Sequence, residues 1–302
     1  MKNKVRSKSQ AFFDTPLGRL ALEFAESRLA VMALVAVVLI ILVAVMAPLL
    51  APQNPYDLAQ LDIMESTLPP MSDSESGLVY WLGSDGQGRD MLSAIMYGLR
   101  TSLSVGVLSG LLAFFIGSII GLLAAYFGGW FESFVMRLVD LQLSFPAMLV
   151  ALMLLAILGQ GVGKIIFALV VVQWSYYARS ARGTALSERN KEYIEAARCL
   201  RLPVRRVIFR HLLPNVAPSL IVIATVQVAH AITLEATLSF LGLGLPITEP
   251  SLGLLISNGY HYLLSGKYWI SFYPGVALVL TIVSINLVGD KLRDIMNPRL
   301  KQ

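Results

Sequence analysis

Runs of about twenty apolar residues recur along this chain of 302 residues, and they limit its fold more than any other feature. A bilayer core about 30 Å thick takes about 20 residues of helix, because only a helix or a closed barrel satisfies its own backbone in lipid. The first run, Leu29 to Leu50, ends at Ala51-Pro52-Gln53-Asn54-Pro55, where proline stops a helix. Further runs follow at Ser102 to Phe127, Val135 to Leu158, Ile165 to Tyr177, Val216 to Leu241 and Phe272 to Val288. Arg137, Asp140 and Pro146 interrupt the third run and the fourth is short, yet the pattern predicts six spans. With 56% hydrophobic and 14% charged residues and a mean hydropathy of +0.68, an ordinary soluble fold is excluded.

An even number of spans puts both termini on one side, and basic residues then choose the side. On the proposed inner side Lys and Arg number 20, in the stretch up to Arg28, at Arg137, between Arg179 and Arg210, and from Lys291 onward. The outer side holds four, Arg89, Arg100, Lys164 and Lys267. Both termini are therefore expected in the cytoplasm. The formal charge of +5 follows the bilayer, so no nucleic-acid partner is expected. Met1 to Arg28 is polar and basic, and lacks the short apolar stretch and small-residue cleavage site of a secretory signal peptide.

The predicted organisation is an inner segment 1–28, a first transmembrane helix 29–50, an outer loop 51–101, a five-helix core 102–290 with an inner loop 178–214, and a tail 291–302. In the second span Gly106, Gly110, Gly117 and Gly121 form two pairs four residues apart, which lets another helix approach closely. The outer loop carries Asp57, Asp62, Glu65, Asp73, Glu75, Asp85 and Asp90, a charge that reads as solvation. The one cysteine, Cys199, excludes a disulfide framework within the chain and reads as a small packing residue.

Ala178 to His211 is too long and too patterned for a turn. It reads as a short amphipathic helix between linkers, with Asn190 as N-cap, Glu192 in the first turn and Tyr193, Ala197 and Leu200 on one face. Pro203 should stop it near Leu202. Such a helix suits either a groove on a soluble partner or anionic lipid met by Arg198, Arg201, Arg205 and Arg206; the residues alone leave both readings open.

Glu195-Ala196-Ala197, followed by Ile208-Phe209-Arg210-His211-Leu212-Leu213-Pro214-Asn215, resembles the EAA motif of ABC importer permeases, the segment that forms their coupling helix. The chain departs from that motif where the usual glycine, six residues after the glutamate, is Arg201, which resists left-handed backbone. Trp81-Leu82-Gly83-Ser84-Asp85, Gly88-Arg89-Asp90 and Tyr97-Gly98-Leu99-Arg100 resemble a segment of the dipeptide, oligopeptide and nickel permeases. So do Leu238-Ser239-Phe240-Leu241-Gly242-Leu243-Gly244, Asn286-Leu287-Val288-Gly289-Asp290 and Leu292-Arg293-Asp294. The likeness runs from Leu29 to Leu300 and is strongest to the C-type of the two permeases these systems pair.

That resemblance implies an all-α membrane protein with six transmembrane helices in the type I ABC importer permease fold, in a bacterial inner membrane. It implies a second homologous permease as heterodimer partner, two ATP-binding subunits, an extracytoplasmic substrate-binding protein, and di- or oligopeptides as cargo. It implies ATPase contact through Glu192, Tyr193, Glu195, Ala196, Ala197, Arg198 and Leu200. No phosphate loop ending in Gly-Lys-Ser or Gly-Lys-Thr is present, so the chain is expected to be non-catalytic, with ATP and Mg2+ held by the partner subunits.

Polar groups inside spans are expensive in lipid, so Gln227, His230, Glu235 and Asn286 are candidates for the translocation path, or for hydrogen bonds that fix the bundle. His211, His230 and His261 lie too far apart in sequence to suggest a metal site. The alternatives are nickel or another small solute as cargo, and, in another class, an ion-coupled secondary transporter or channel. An intramembrane enzyme is more distant, since the spans hold no paired catalytic carboxylates, zinc motif or nucleophile with a base partner.

Overall fold

The computed structural model describes residues 16–57, 59, 61–74 and 77–296. The inner-side placement expected for 1–15 and 297–302, and the solvation expected for Glu75, lie outside the described residues.

Helix α1 (Pro16–Ala25) leads into α2 (Arg28–Leu50), whose first turn is capped by Ser27 Oγ accepting the Ala30 N–H at 3.3 Å. Only Ala30, Ala33, Ala44 and Ala47 of α2 are buried; its Leu, Val and Ile side chains mostly face outward. Small residues inward and large apolar ones outward suit a helix packed on protein along one stripe and bathed in lipid elsewhere. Ala51 turns extended before Pro52, and the helix stops as expected.

Helix α3 (Met91–Phe127) has 37 residues and starts eleven residues before the expected span. Asp90 caps it, accepting the Ser93 N–H at 2.8 Å. At 1.5 Å per residue it is about 55 Å long, some 25 Å more than the hydrocarbon thickness. Its extra turns bury Met91, Ala94, Ile95 and Leu99 against Leu252, Leu255, Trp269 and Ile270, non-local partners that no periodicity reveals.

The described residues between 51 and 90 form a cap on this end. A two-residue antiparallel hairpin, β1 (Ser72–Asp73) with β2 (Val79–Tyr80), sets Ser72 opposite Tyr80. The solvation expected of the acidic residues fails for Glu65, Asp85 and Asp90, all buried. The Tyr80 hydroxyl donates to Glu65 Oε2 at 2.6 Å and Ser74 donates to Oε1. Asp85 Oδ1 accepts the N–H groups of Gln87 and Arg89, and the Asp90 N–H reaches Gln53 Oε1 at 2.7 Å. Burial raises the Asp85 and Asp90 carboxyls above the usual range. Arg89, 1% exposed, ties the cap to the bundle through Nη2 on the Ile247 carbonyl at 2.9 Å.

The third expected span is two helices, α4 (Gly129–Ser144) and α5 (Ala147–Leu158), bent by 90°. Pro146 has no N–H to continue α4 and forces Phe145 extended, so the run turns instead of crossing straight. Gln142 donates to the Val171 carbonyl and accepts Trp174 Nε1 at 2.8 Å, fixing α4 on α6 (Val162–Arg189). The linker expected from Ala178 is absent, because α6 runs unbroken to Arg189.

After α7 (Glu192–Cys199), a turn leads into α8 (Val204–Arg206), a π-helical turn over Val207–Leu212 and α9 (Leu213–Phe240), continuous in path. Pro214 lacks an N–H and would press on the carbonyl of Arg210; the wider π turn relieves that clash. Asn215 Nδ2 donates to the His211 carbonyl at 2.7 Å. Short α10 (Leu252–Tyr260) and long α11 (Trp269–Met296) complete the bundle.

The expected glycine approaches are real. A Cβ on Gly117 would lie 2.2 Å from the Trp174 carbonyl oxygen, and one on Gly121 2.3 Å from that of Ala178, so the α3 and α6 backbones nearly touch. Gly106 and Gly110 admit Ile232 and Val228 of α9 in the same way. Among the described residues four paths are long and apolar enough to cross a membrane, Arg28–Leu50, Met91–Phe127, Val204–Phe240 and Trp269–Met296, or five if α4 with α5 is one span. Helix α6, which contains the expected fourth span, is not among them.

Candidate functional site

The α7 helix begins at Lys191 rather than Asn190: Lys191 is extended at φ −84° and ψ 149°, while Asn190 closes α6. No side chain caps it; Glu192 and Glu195 in its first turn and Arg198 in its last favour the helix dipole instead. Residues just before it form a clasp. Lys191 Nζ pairs with Glu188 Oε1 at 2.7 Å, and the Tyr193 hydroxyl donates to Glu188 Oε2 at 2.8 Å. Partial burial works against the charged Glu188, but these two hydrogen bonds and the Lys191 charge outweigh it and hold the carboxyl below its usual range. Partial burial, and then its bond to Glu188, push the Tyr193 hydroxyl up to about 12.

The inward face of α7 is Ile194, 1% exposed, and Ala197, 4% exposed. They seat against Leu122 and Ala125 of α3, Ala181 and Ala185 of α6, and Val207 and Ile208 of the π turn. Burying the Ile194 side chain contributes about 2–3 kcal/mol to this seat. The face expected from Tyr193, Ala197 and Leu200 does not hold together: Tyr193 is half-buried at the edge and Leu200 is 74% exposed. Ile194 lies outside the expected face yet anchors it, and its spacing of three from Ala197 is the signal the sequence holds. Glu192, Glu195, Ala196, Arg198 and Leu200 form the outward surface, with the Arg198 guanidinium 5.3 Å from the Tyr126 ring centroid. Cys199 is exposed and not the packing residue expected.

Two arginines brace the seat. Arg189 Nη1 donates at 2.6 Å to the Ala125 carbonyl, placing a cation on orphan carbonyls at the end of α3. Arg182 Nε donates to Glu132 Oε1 at 2.7 Å, joining α6 to α4.

The end of α7 contains a left-handed residue despite its side chain. The Leu202 N–H reaches the Ala197 carbonyl at 3.2 Å and the Arg201 N–H the Arg198 carbonyl at 2.9 Å, the paired bonds of a Schellman motif. That motif needs a left-handed residue at Arg201, and Arg201 supplies it at φ +51°. The stop comes at Cys199, before the position expected from Pro203, which instead opens α8. The turn a glycine would make is thus built by arginine, and Leu202 packs back on the core that holds Ala197.

The polar residues within spans separate into two groups. Glu235, fully buried, accepts Ser102 Oγ at 2.7 Å and Ser239 Oγ at 2.7 Å, and Ser102 in turn accepts the Leu252 N–H at 3.4 Å. This joins α3, α9 and α10. Gln227 is also buried, with its Nε2 unpartnered among the described residues. His230 is exposed, its ring 6.4 Å from that of Tyr176, and Asn286 is half-buried on α11. The structure brings Glu235 to two serines but not to His230 or Asn286.

Two family patterns match this chain: the binding-protein-dependent transport system inner membrane component over residues 117–302, and the N-terminal TM domain of oligopeptide transport permease C over residues 15–70. A dipeptide transport system permease protein, DppC, of Bacillus subtilis is 36% identical over 277 residues, 92% of this chain and 84% of the relative. The DppC of Haemophilus influenzae is 32% identical over 95% of this chain and 96% of its own. A putative peptide permease protein of Brucella suis is 36% identical over 94% and 91%. Among solved structures, an inward-facing MetNI methionine ABC transporter chain matches with a TM-score of 0.56 at 21% identity, over 68% of this chain and 97% of that chain, a likeness of fold.

Proposed function

The chain belongs to the family of binding-protein-dependent transport system inner membrane components, and from that premise we propose that it forms half the pore of an ATP-driven peptide importer. The cargo is a di- or oligopeptide, in line with the names of its relatives. A second homologous permease completes the pore, two ATP-binding subunits dock on the inner side, and an extracytoplasmic binding protein delivers the peptide. The six-span arrangement in a bacterial inner membrane, with both termini inside, rests on the distribution of Lys and Arg. In it, α6 supplies a span that its lysine and arginines make less apolar.

One observation carries the coupling role: α7 buries Ile194 and Ala197 against the inner ends of α3, α6 and α9 while offering Glu192, Glu195, Ala196 and Leu200 outward. ATP binding closes the ATPase dimer and shifts α7. Because packed interiors resist compression, the shift passes to three long helices at once and opens the pore outward; hydrolysis resets it. Tyr193, Arg198 and Glu188 hold the angle of the helix, and Ala197 acts through the seat rather than by contact. His230 beside Tyr176 is exposed in the single chain and is the part of the candidate path open to a peptide; Glu235 fixes the bundle around it.

The test is a reconstituted complex in proteoliposomes. Peptide with the binding protein should stimulate ATP hydrolysis, and Glu192→Lys with Glu195→Lys should abolish both stimulation and co-purification of the ATP-binding subunits. Uptake driven by an ion gradient without those subunits would assign the chain to secondary transport. Uptake of nickel in place of peptide would change the cargo alone.

A further inference from the structure

Arg205, Arg206 and Arg210 wall an open groove of about 560 Å³ that runs from Pro203 to Pro214, with the exposed Phe209 ring among them. None of the three guanidiniums has an ion-pair partner among the described residues, whereas Arg179, Arg182 and Lys191, earlier in the same basic stretch, are all paired. Three unneutralised cations side by side repel one another, an arrangement that an anionic ligand relieves. Their depth is informative. The apolar run of α9 starts at Val216, six residues past Arg210 and eleven past Arg205, which is about 9–17 Å at helical rise. The headgroup layer is about 5–8 Å deep on each side, so Arg210 lies at its aqueous edge and the long Arg205 and Arg206 side chains have to reach back toward it. Phe209, in the same wall, has the character of a ring that sits at the acyl boundary, and Arg stems cover apolar surface while their heads reach phosphate.

We propose that this groove binds the phosphate headgroup of an anionic phospholipid of the inner leaflet. The charge distribution separates it from the outward face of α7, which presents Glu192 and Glu195 and so favours a partner of the opposite sign. The proposal rests on the reading that α8 begins at the inner membrane face; it needs no ATPase, so the two can fail separately.

The test uses the full chain purified in mixed micelles of phosphatidylcholine and phosphatidylglycerol, with retained lipid counted by native mass spectrometry. Wild type should retain phosphatidylglycerol in preference. Each arginine contributes about fivefold, so R205Q/R206Q/R210Q should weaken retention on the order of a hundredfold, while R205K/R206K/R210K keeps most of it. Equal retention of the two lipids by wild type, or undiminished phosphatidylglycerol on the glutamine variant, overturns the proposal. In a parallel co-purification with the ATP-binding subunits, a glutamine variant that keeps its lipid but loses those subunits also overturns it and marks the groove as a protein interface. If the glutamine variant does not fold, rising salt on wild type decides: phosphatidylglycerol should be released as screening grows, and retention unchanged at high salt refutes the site.

Discussion

Replacing Arg201 with glycine isolates the backbone strain at the end of α7. Arg201 sits at φ +51°, where a residue with a Cβ is disfavoured by about 1–2 kcal/mol. Glycine removes that cost, but its freer unfolded chain returns about 0.4–1 kcal/mol. The exposed Arg201 side chain makes no ion pair among the described residues, and both Schellman bonds come from the backbone, so no contact offsets the gain. The net stabilisation is about 0.5–1 kcal/mol, or about two- to fivefold less local opening. Native-state hydrogen exchange at the Leu202 amide, whose bond to Ala197 spans the turn, reads this directly. Arg201→Gly should slow that exchange by this factor, and Arg201→Ile should speed it. An R201G chain that exchanges as fast as wild type would mean the left-handed turn is not the resting geometry.

Ala196→Leu and Ala197→Leu should behave differently: the first leaves the α7 seat intact and impairs ATPase docking, and the second overpacks the seat by about 1–3 kcal/mol and frees α7 to proteolysis. Equal protease resistance in both refutes the assignment of faces. Gly121→Ala should lower thermal stability by a similar 1–3 kcal/mol because its Cβ meets the Ala178 carbonyl, whereas Gly163→Ala, with open space around it, should not. Glu235→Ala should cost about 2–4 kcal/mol through a cavity and two orphaned hydroxyls; lost uptake with an unchanged melting temperature would instead place Glu235 in the peptide path. Glu188, held below the usual carboxylate range, contributes stability that is intact above the ordinary carboxylate range and lost as pH falls through its lowered value; in Glu188→Gln, acid should loosen α7 less than in wild type, measured by exchange.

What the sequence revealed was whatever depends on local pattern. The run from Leu29 to Leu50 with Pro52 behind it marks α2 almost to the residue, and the paired glycines announce the contact of α3 with α6. Met91 to Leu99 looked like loop because its burial depends on Leu252 and Trp269, more than 150 positions away. Asp90 followed by Ser93 ahead of an apolar run was the signal that could have found this start. Pro146 is plain in the sequence, but a proline fixes the place of a bend and not its angle. Glu65, Asp85 and Asp90 read as solvated because a carboxylate's partner is a tertiary fact. At the candidate site the position of α7 was legible, but its inward face was not: five small or apolar residues on an eight-residue helix allow more than one stripe. Arg201 was expected to disturb the turn; the cooperating bonds of Ala197 and Arg198 hold it left-handed all the same.

Helix α3 is anchored at both ends by different machinery. Asp90 and Met91 are embedded in the cap, and Leu122 and Ala125, at the other extreme, form part of the α7 seat. A rod about 55 Å long behaves as a lever, and a tilt of about 2° at one end moves the other by about 2 Å. That displacement is the size of an interface-repacking step. Under the proposed docking, an ATPase pressing on α7 would therefore move the cap end of the same beam, and a load on the cap would be felt at α7.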